Sequence, residues 1–216
     1  LELAGGYFSR GQFSTALDEI KLALAAKPDM GAAYNMRGLV YAAMGEDLLA
    51  EESFERAMSL NPRDADAMHN RAWFKCQRGQ YDDADRLFEQ AIATPQYRDL
   101  ARSLMAQGIC YARAGRMVPA EQKLLRAYEV DPTNPTTAYN LADVLYRRSE
   151  LERARFYVRR VNDNEELSNA QTLWLAARIE NKAGNRNAVE AFGRQLRARF
   201  PQSPQAQAYD SGRFND

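Results

Sequence analysis

The chain has 216 residues, of which 45% are hydrophobic and 27% charged, and its 29 basic residues balance its 29 acidic residues. A chain of this length and composition can bury a continuous core as one domain. This balance gives no overall excess of positive charge of the kind that nucleic acid or an anionic membrane attracts. The sequence has no run approaching the roughly 18 apolar residues of a membrane-spanning helix.

A sparse pattern of small, aromatic and turn residues recurs six times along the chain, with the spacing of tetratricopeptide units, about 34 residues. The second copy shows the pattern most clearly, with Tyr34, Gly38, Tyr41, Gly45, Ala50, Phe54, Ala57 and Pro62. The fourth copy begins two residues late, and the extra length falls in the loop at 94–98. The fifth and sixth copies keep the small residue and the turn, but have Ser149 and Gly193 at the slots of Gly45 and Phe54.

The pattern predicts an all-α fold, a right-handed superhelical solenoid of six helix-turn-helix repeats in a single domain over 1–216. The repeats are expected at about 1–30, 31–64, 65–100, 101–134, 135–168 and 170–203, with a C-terminal capping tail at 204–216. Small residues are expected where paired helices cross closely. Glycines 11, 45, 79, 115 and 184 are expected to turn the chain, and Pro28, Pro62, Pro132 and Pro201 to stop the second helices.

The sequence offers no catalytic or metal-binding constellation. The single histidine, His69, lacks the partners that a metal site or a nucleophile triad would need. There is no glycine-rich phosphate loop and no Cys-x-x-Cys. The acidic run Asp82, Asp83 and Asp85 opens the second helix of the third repeat, where negative charge suits the helix dipole. We therefore expect no enzyme activity, no cofactor and no metal.

Two cysteines, Cys76 and Cys110, lie late in the first helices of adjacent repeats, which pack side by side in such an array. A disulfide between them would join positions 34 residues apart, but only in an oxidising compartment. The alternative is a pair of buried thiols that act as small apolar fillers.

Function is therefore expected to reside in a protein-binding groove lined by the first helix of each repeat. Amide side chains there can both donate to and accept from the backbone of an extended peptide, and aromatic side chains can anchor it. The alternative for several of the rings, and for His69, is packing within the array. The predicted groove residues are Asn35, Met36, Leu39, His69, Asn70, Trp73, Met105, Ile109, Tyr139, Asn140, Asp143, Tyr146, Trp174 and Arg178.

Particular stretches resemble the type IV pilus biogenesis and stability lipoproteins, the PilF/PilW or pilotin family. The segment from His69 to Cys76 is similar to that family's Asn-Asn-Tyr-Gly-x-Phe-Leu-Cys, and departs from it at Arg71, Ala72 and Lys75. Further similar stretches are Leu49-Ala50-Glu51 with Phe54, Thr94-Pro95-x-Tyr97, Gly108-Ile109-Cys110 and Phe200-Pro201-x-Ser203. The resemblance covers nearly the whole chain.

The resemblance implies a non-catalytic assembly factor on the periplasmic face of the outer membrane, held by a lipid anchor upstream of Leu1. Because repeat proteins of this sort are often monomers, we expect a monomer. Its implied partner is the secretin subunit of the pilus pore, and it would help the secretin to reach the outer membrane, to oligomerise or to remain stable. Other pilus-assembly proteins are further candidate partners. Nucleic acid is not an expected partner. The resemblance also favours the Cys76–Cys110 disulfide and adds Phe74 and the first-repeat residues Tyr7 and Phe8 as contact candidates. The alternatives are a substrate-delivery module of a larger enzyme, such as a protein glycosyltransferase, and a general periplasmic scaffold.

Overall fold

A computed structural model describes residues 1–214 of the chain, so the last two residues of the predicted tail, 215 and 216, lie outside the described residues. All regular structure within 1–214 is helical. The chain forms two compact units, Leu1–Cys110 and Tyr111–Asp216. Among the described residues, no helix is both long and apolar enough to cross a bilayer.

The first unit consists of three antiparallel helix pairs and most of a seventh helix. Its helices are α1 (Glu2–Ser9), α2 (Phe13–Ala26), α3 (Gly31–Met44), α4 (Asp47–Leu60), α5 (Ala65–Gln77), α6 (Tyr81–Ala93) and α7 (Leu100–Arg113), the last of which ends in the second unit. Each odd-numbered helix up to α5 packs against the even-numbered helix that follows it, and α3 also contacts α1 and α5.

The second unit contains two complete helix pairs, a preceding helix and a short terminal helix. Its helices are α8 (Met117–Val130), α9 (Pro135–Arg147), α10 (Leu151–Asn162), α11 (Ala170–Lys182), α12 (Arg186–Arg199) and α13 (Pro204–Asp210). Helix α9 packs on α10 and α11 on α12, while α13 contacts both α11 and α12. The predicted all-helical fold of tetratricopeptide units is therefore confirmed.

The predicted turns use the left-handed backbone region. Glycines 11, 45, 79, 115 and 184 have φ angles of 72°, 79°, 74°, 75° and 78°. In the fifth repeat Ser149 takes the same conformation, with φ 63°, and its hydroxyl accepts a hydrogen bond from Nζ of Lys182 at 2.9 Å. The turn geometry is thus kept where the glycine is lost, although a side chain in this region carries a conformational cost.

Small residues allow close crossing of the paired helices, as the pattern predicts. A Cβ added to Gly38 on α3 would lie 2.7 Å from the ring of Phe54 on α4. Phe54 is fully buried, and its ring centroid is 5.6 Å from that of Phe74 on α5. The Gly38 slot therefore leaves room for the large side chain that fills the groove between the helices.

In the last helix pair, the space between the helices is filled by a large side chain from outside the pair. A Cβ added to Gly193 on α12 would lie 1.9 Å from Cζ of Tyr209, so the Tyr209 ring from α13 occupies this space. Ser203 is the N-cap of helix α13, and its hydroxyl accepts a hydrogen bond from the N–H of Ala206 at 3.1 Å. Tyr209 packs with Trp174 and Phe200 against Leu173, Leu196 and Ala206. The short helix thus covers the apolar side of the last pair.

Candidate partner-binding surfaces

Three polar side chains from successive odd-numbered helices of the first unit form a hydrogen-bonded row. Nδ2 of Asn70 donates to Oδ1 of Asn35 at 3.2 Å, and Nη2 of Arg102 donates to Oδ1 of Asn70, also at 3.2 Å. Asn70 is only 8% exposed, whereas the side chain of Arg102 is 50% exposed. The side-chain amides of Asn35 and Asn70 are therefore partly satisfied within the row, which leaves fewer of their donors and acceptors for a peptide.

Apolar side chains lie beside this polar row. Trp73 and Met105 follow Asn70 and Arg102 by three residues, and Leu39 follows Asn35 by four, so each lies on the same side of its helix as the polar residue. All three are partly exposed. We call the surface formed by Asn35, Leu39, Asn70, Trp73, Arg102 and Met105 the amide face.

Other predicted contact residues of the first unit pack mainly against its core. Trp73 lies against the cluster that contains Cys76 and Cys110, and Leu39 lies against Phe54 and Phe74. Met36, Tyr7 and Phe8 pack on the cluster of Ala4, Ala16, Ile20, Ala33 and Val40, yet each remains partly exposed. Ile109 is also partly exposed. These side chains can contact a partner only through their outer edges.

His69 and Phe74 lie in the core, which corrects their assignment as contact residues. His69 is 4% exposed, and its Nδ1 lies 2.7 Å from Oγ of Ser103, which in turn is 3.0 Å from the hydroxyl of Tyr97. Its ring centroid is 5.7 Å from that of Phe88 on α6. Phe74 is 5% exposed. Both side chains point toward neighbouring helices, so the packing alternative holds for His69.

Burial lowers the pKa of His69 to about 3, with a smaller contribution from the positive charge of Arg102. The unfolded chain should bind this proton near the ordinary pKa of about 6.5. Between these two pKa values the unfolded state binds more protons, so the free energy of unfolding should fall as the pH is lowered. We expect a loss of about 2 kcal/mol between pH 7 and pH 5, measured by urea unfolding.

The matched control for this pH dependence is His69→Gln, which keeps a hydrogen-bonding group but cannot titrate. Because the chain has one histidine, the variant should lose most of the slope between pH 7 and pH 5. Burial raises the pKa of Asp66 and of Asp143, which acts in the opposite sense at lower pH. An unchanged slope in the variant would show that His69 is not buried in its neutral form.

Two of the three departures from the family segment, Arg71 and Lys75, form ion pairs within the first unit. Nη2 of Arg71 lies 2.8 Å from Oε1 of Glu55 and also pairs with Glu51. Nζ of Lys75 lies 3.0 Å from Oε2 of Glu51. These cations therefore tie α5 to α4.

The structure joins Cys76 on α5 to Cys110 on α7 by a disulfide, with the two Cα atoms 5.8 Å apart. The side chains are 1% and 4% exposed. The bridge therefore connects two helices that carry the amide face and lies beneath Trp73.

In the second unit, the predicted contact residues cluster around Arg178 on α11. The guanidinium of Arg178 lies 4.8 Å from the ring centroid of Tyr146, and Nζ of Lys182 lies 5.1 Å from it. Tyr146 is only 7% exposed, so it offers this face little more than its edge. Asp143 pairs with Arg147 at 2.8 Å. Burial raises the pKa of Tyr139, and the nearby Asp143 raises it further.

Two more predicted contact residues of the second unit already have partners in the chain. Nδ2 of Asn140 donates to the carbonyl of Thr136 at 2.8 Å. The ring of Trp174 is covered by that of Phe214, with centroids 5.1 Å apart. The sequence pattern missed Phe214, because a repeat consensus says nothing of the segment that follows the last repeat.

No group of three histidine, cysteine, aspartate or glutamate side chains within residues 1–214 is placed to hold a metal ion. The acidic run behaves as the helix-dipole argument predicts, since Asp82 and Asp83 lie in the first turn of α6. Asp83 pairs with Arg86, and Oδ1 of Asp85 accepts from Nε2 of Gln107 at 2.7 Å.

Comparison with known proteins identifies tetratricopeptide repeats in the part of the chain between residues 31 and 135. Sequence profiles described as tetratricopeptide repeat match residues 31–64, 53–86 and 76–135. The type IV pilus assembly protein PilF of Pseudomonas aeruginosa is 23% identical over 211 residues, which are 98% of this chain and 83% of that protein. These matches define a tetratricopeptide repeat protein.

Solved structures extend the comparison. The crystal structure of PilW, a widely conserved type IV pilus biogenesis factor, is 29% identical, covers 96% of this chain and 94% of its own, and has a TM-score of 0.88. The structure of Pseudomonas aeruginosa PilF is 23% identical, covers 98% of this chain and 95% of its own, and has a TM-score of 0.82. The chain is a homologue of PilF and shares the fold of PilW, so the family resemblance is confirmed.

Proposed function

We propose that the protein is a non-catalytic assembly factor for type IV pilus biogenesis in the cell envelope, and that it binds a segment of the pilus secretin. The observation that carries the proposal is homology to pilus biogenesis factors along nearly the whole chain. The relatives are also close to this chain in length, so no observation favours the substrate-delivery module of a larger enzyme.

The amide face is the proposed contact surface for the secretin segment. Asn35, Asn70 and Arg102 place amide and guanidinium groups in a row, and such groups can bond the backbone of an extended peptide. The partly exposed Trp73 beside them supplies the kind of aromatic anchor that dominates many interfaces. The disulfide beneath Trp73 holds α5 and α7 together and so fixes the spacing of the face.

The proposed location is the periplasmic face of the outer membrane, with the chain held by an N-terminal lipid anchor and acting as a monomer. The oxidised Cys76–Cys110 pair supports an oxidising compartment such as the periplasm. Other pilus-assembly proteins are further candidate partners.

The test is co-purification of the secretin with the tagged full-length protein from membranes of its own organism, without denaturation. We expect mass spectrometry to find the secretin with the wild type. Trp73→Ala and Arg102→Ala should each reduce its recovery by about tenfold or more, the size expected for interface anchors. Leu48→Ala is the matched control, because Leu48 is 88% exposed and lies at the start of α4.

The two parts of the proposal fail separately. Absence of the secretin from the wild-type complex would overturn the proposed function. Equal recovery with the wild type and both variants, each shown by circular dichroism to be folded, would retain the function and overturn the amide face as the contact surface.

A further inference from the structure

The terminal segment (residues 211–214) turns back from α13 toward α11. Gly212 has a φ of 67°, in the left-handed region that ends many helices. The N–H of Gly212 donates to the carbonyl of Tyr209 and the N–H of Arg213 to that of Ala208, both at 3.0 Å. This C-terminal cap directs the chain toward Trp174.

Phe214 is held by both its side chain and its backbone. Its ring centroid lies 5.1 Å from that of Trp174 and 5.8 Å from that of Tyr209. Its carbonyl oxygen accepts a hydrogen bond from Nε of Arg178 at 3.2 Å. Sites that bind extended peptides combine hydrogen bonds to the main chain with pockets for side chains, and aromatic and arginine residues are enriched among the residues that contribute most to binding.

The residues that hold Phe214 include side chains that other contacts keep in place. The guanidinium of Arg178 lies over the ring of Tyr146, which is buried. Trp174 packs against Leu173, Leu196 and Ala206. We call the surface formed by Tyr146, Trp174 and Arg178 the terminal face. Its side chains come from α9 and α11, and each of them has a contact other than Phe214.

We propose that the terminal face is a second peptide-binding site, whose ligand is an extended segment of a partner protein that carries an aromatic side chain. The terminal segment is its resident internal ligand and is displaced when the partner binds. The site lies in the second unit and is independent of the secretin and of the amide face.

A few residues tether Phe214 to the end of α13 at Asp210. A short tether of this kind gives an effective concentration on the order of millimolar, so a weak contact suffices to keep the face covered. A partner that must first displace the segment binds with an affinity reduced by the fraction of open sites. If the terminal segment covers the face in about nine-tenths of the molecules, the affinity for the partner falls about tenfold.

The test uses the fluorescence of Trp174 in a Trp73→Phe background, in which Trp174 is the single tryptophan. The full chain and its Phe214→Ala variant are titrated with a synthetic peptide of residues 211–216. The same peptide with alanine in place of phenylalanine is the matched control. Emission of the Phe214→Ala chain should lie at longer wavelength, and the peptide should shift it back saturably. The apparent dissociation constant of the peptide from the Phe214→Ala chain should be at least about tenfold lower than its dissociation constant from the unchanged chain.

Arg178→Gln tests the backbone contact, because glutamine removes the guanidinium that bonds the Phe214 carbonyl. In the Phe214→Ala background it should weaken peptide binding, with circular dichroism showing that the helices persist. A signal that does not saturate, equal binding of the alanine peptide, or equal affinity for both chains would overturn the proposal. So would a dimer in light scattering that is lost in the Phe214→Ala variant, since the segment would then belong to a second copy.

Discussion

Replacing Gly193 by alanine is expected to lower the free energy of unfolding by about 3 kcal/mol, the upper part of the usual range for overpacking. The new Cβ would lie 1.9 Å from Cζ of Tyr209, so α13 must move or the ring must leave its site. Urea unfolding followed by circular dichroism measures the change.

The matched control is Gly5→Ala in α1, where the nearest atom to the added Cβ is Cε of Met36, at 3.8 Å. This substitution removes the flexibility of a helical glycine without a collision and should stabilise the protein by about 0.5–1 kcal/mol. A second control is Tyr209→Ala, which opens the space at Gly193. In that background Gly193→Ala should cost much less, and an equal cost in both backgrounds would exclude the Tyr209 contact as the cause.

Reduction of the Cys76–Cys110 disulfide is expected to lower the free energy of unfolding by about 3–4 kcal/mol. The bridge closes a sequence separation of 34 residues, and its removal returns that chain entropy to the unfolded state. The measurement is urea unfolding of the protein with and without a thiol reductant.

The double variant Cys76→Ala with Cys110→Ala separates the bridge from other effects of the reductant. Its unfolding should be the same with and without reductant, and close to that of the reduced wild type. Two free thiols in denatured, unreduced wild-type protein, together with no effect of the reductant, would contradict the bridge.

The repeat pattern predicted the fold because each slot reports a local physical requirement. A left-handed turn needs a residue that tolerates it, and a close helix crossing needs a small one. The pattern also located the positions that depart from the repeat consensus, and there the structure meets the same requirement with a different residue. At Ser149 the serine adopts the left-handed conformation, and at Gly193 a distant tyrosine fills the space.

The candidate surfaces were less predictable because the repeat defines which helix faces a groove but not the rotation of each side chain. His69 and Asn70 are neighbours in sequence, yet the histidine bonds Ser103 in the core while the asparagine joins the amide row. One residue turns a helix by about 100°, so such neighbours face different surroundings. Arg102 and Phe214 were missed because their contacts with Asn70 and Trp174 join distant parts of the sequence.

The Gly193–Tyr209 contact also bears on how such an array can grow. Repeat arrays lengthen by duplication when each unit carries everything that its neighbours require. The sixth unit does not, because its second helix has a glycine at the slot where the others supply a bulky side chain, and α13 fills the space. A copy made without α13 would carry a void between its helices, so duplication of this unit alone is disfavoured.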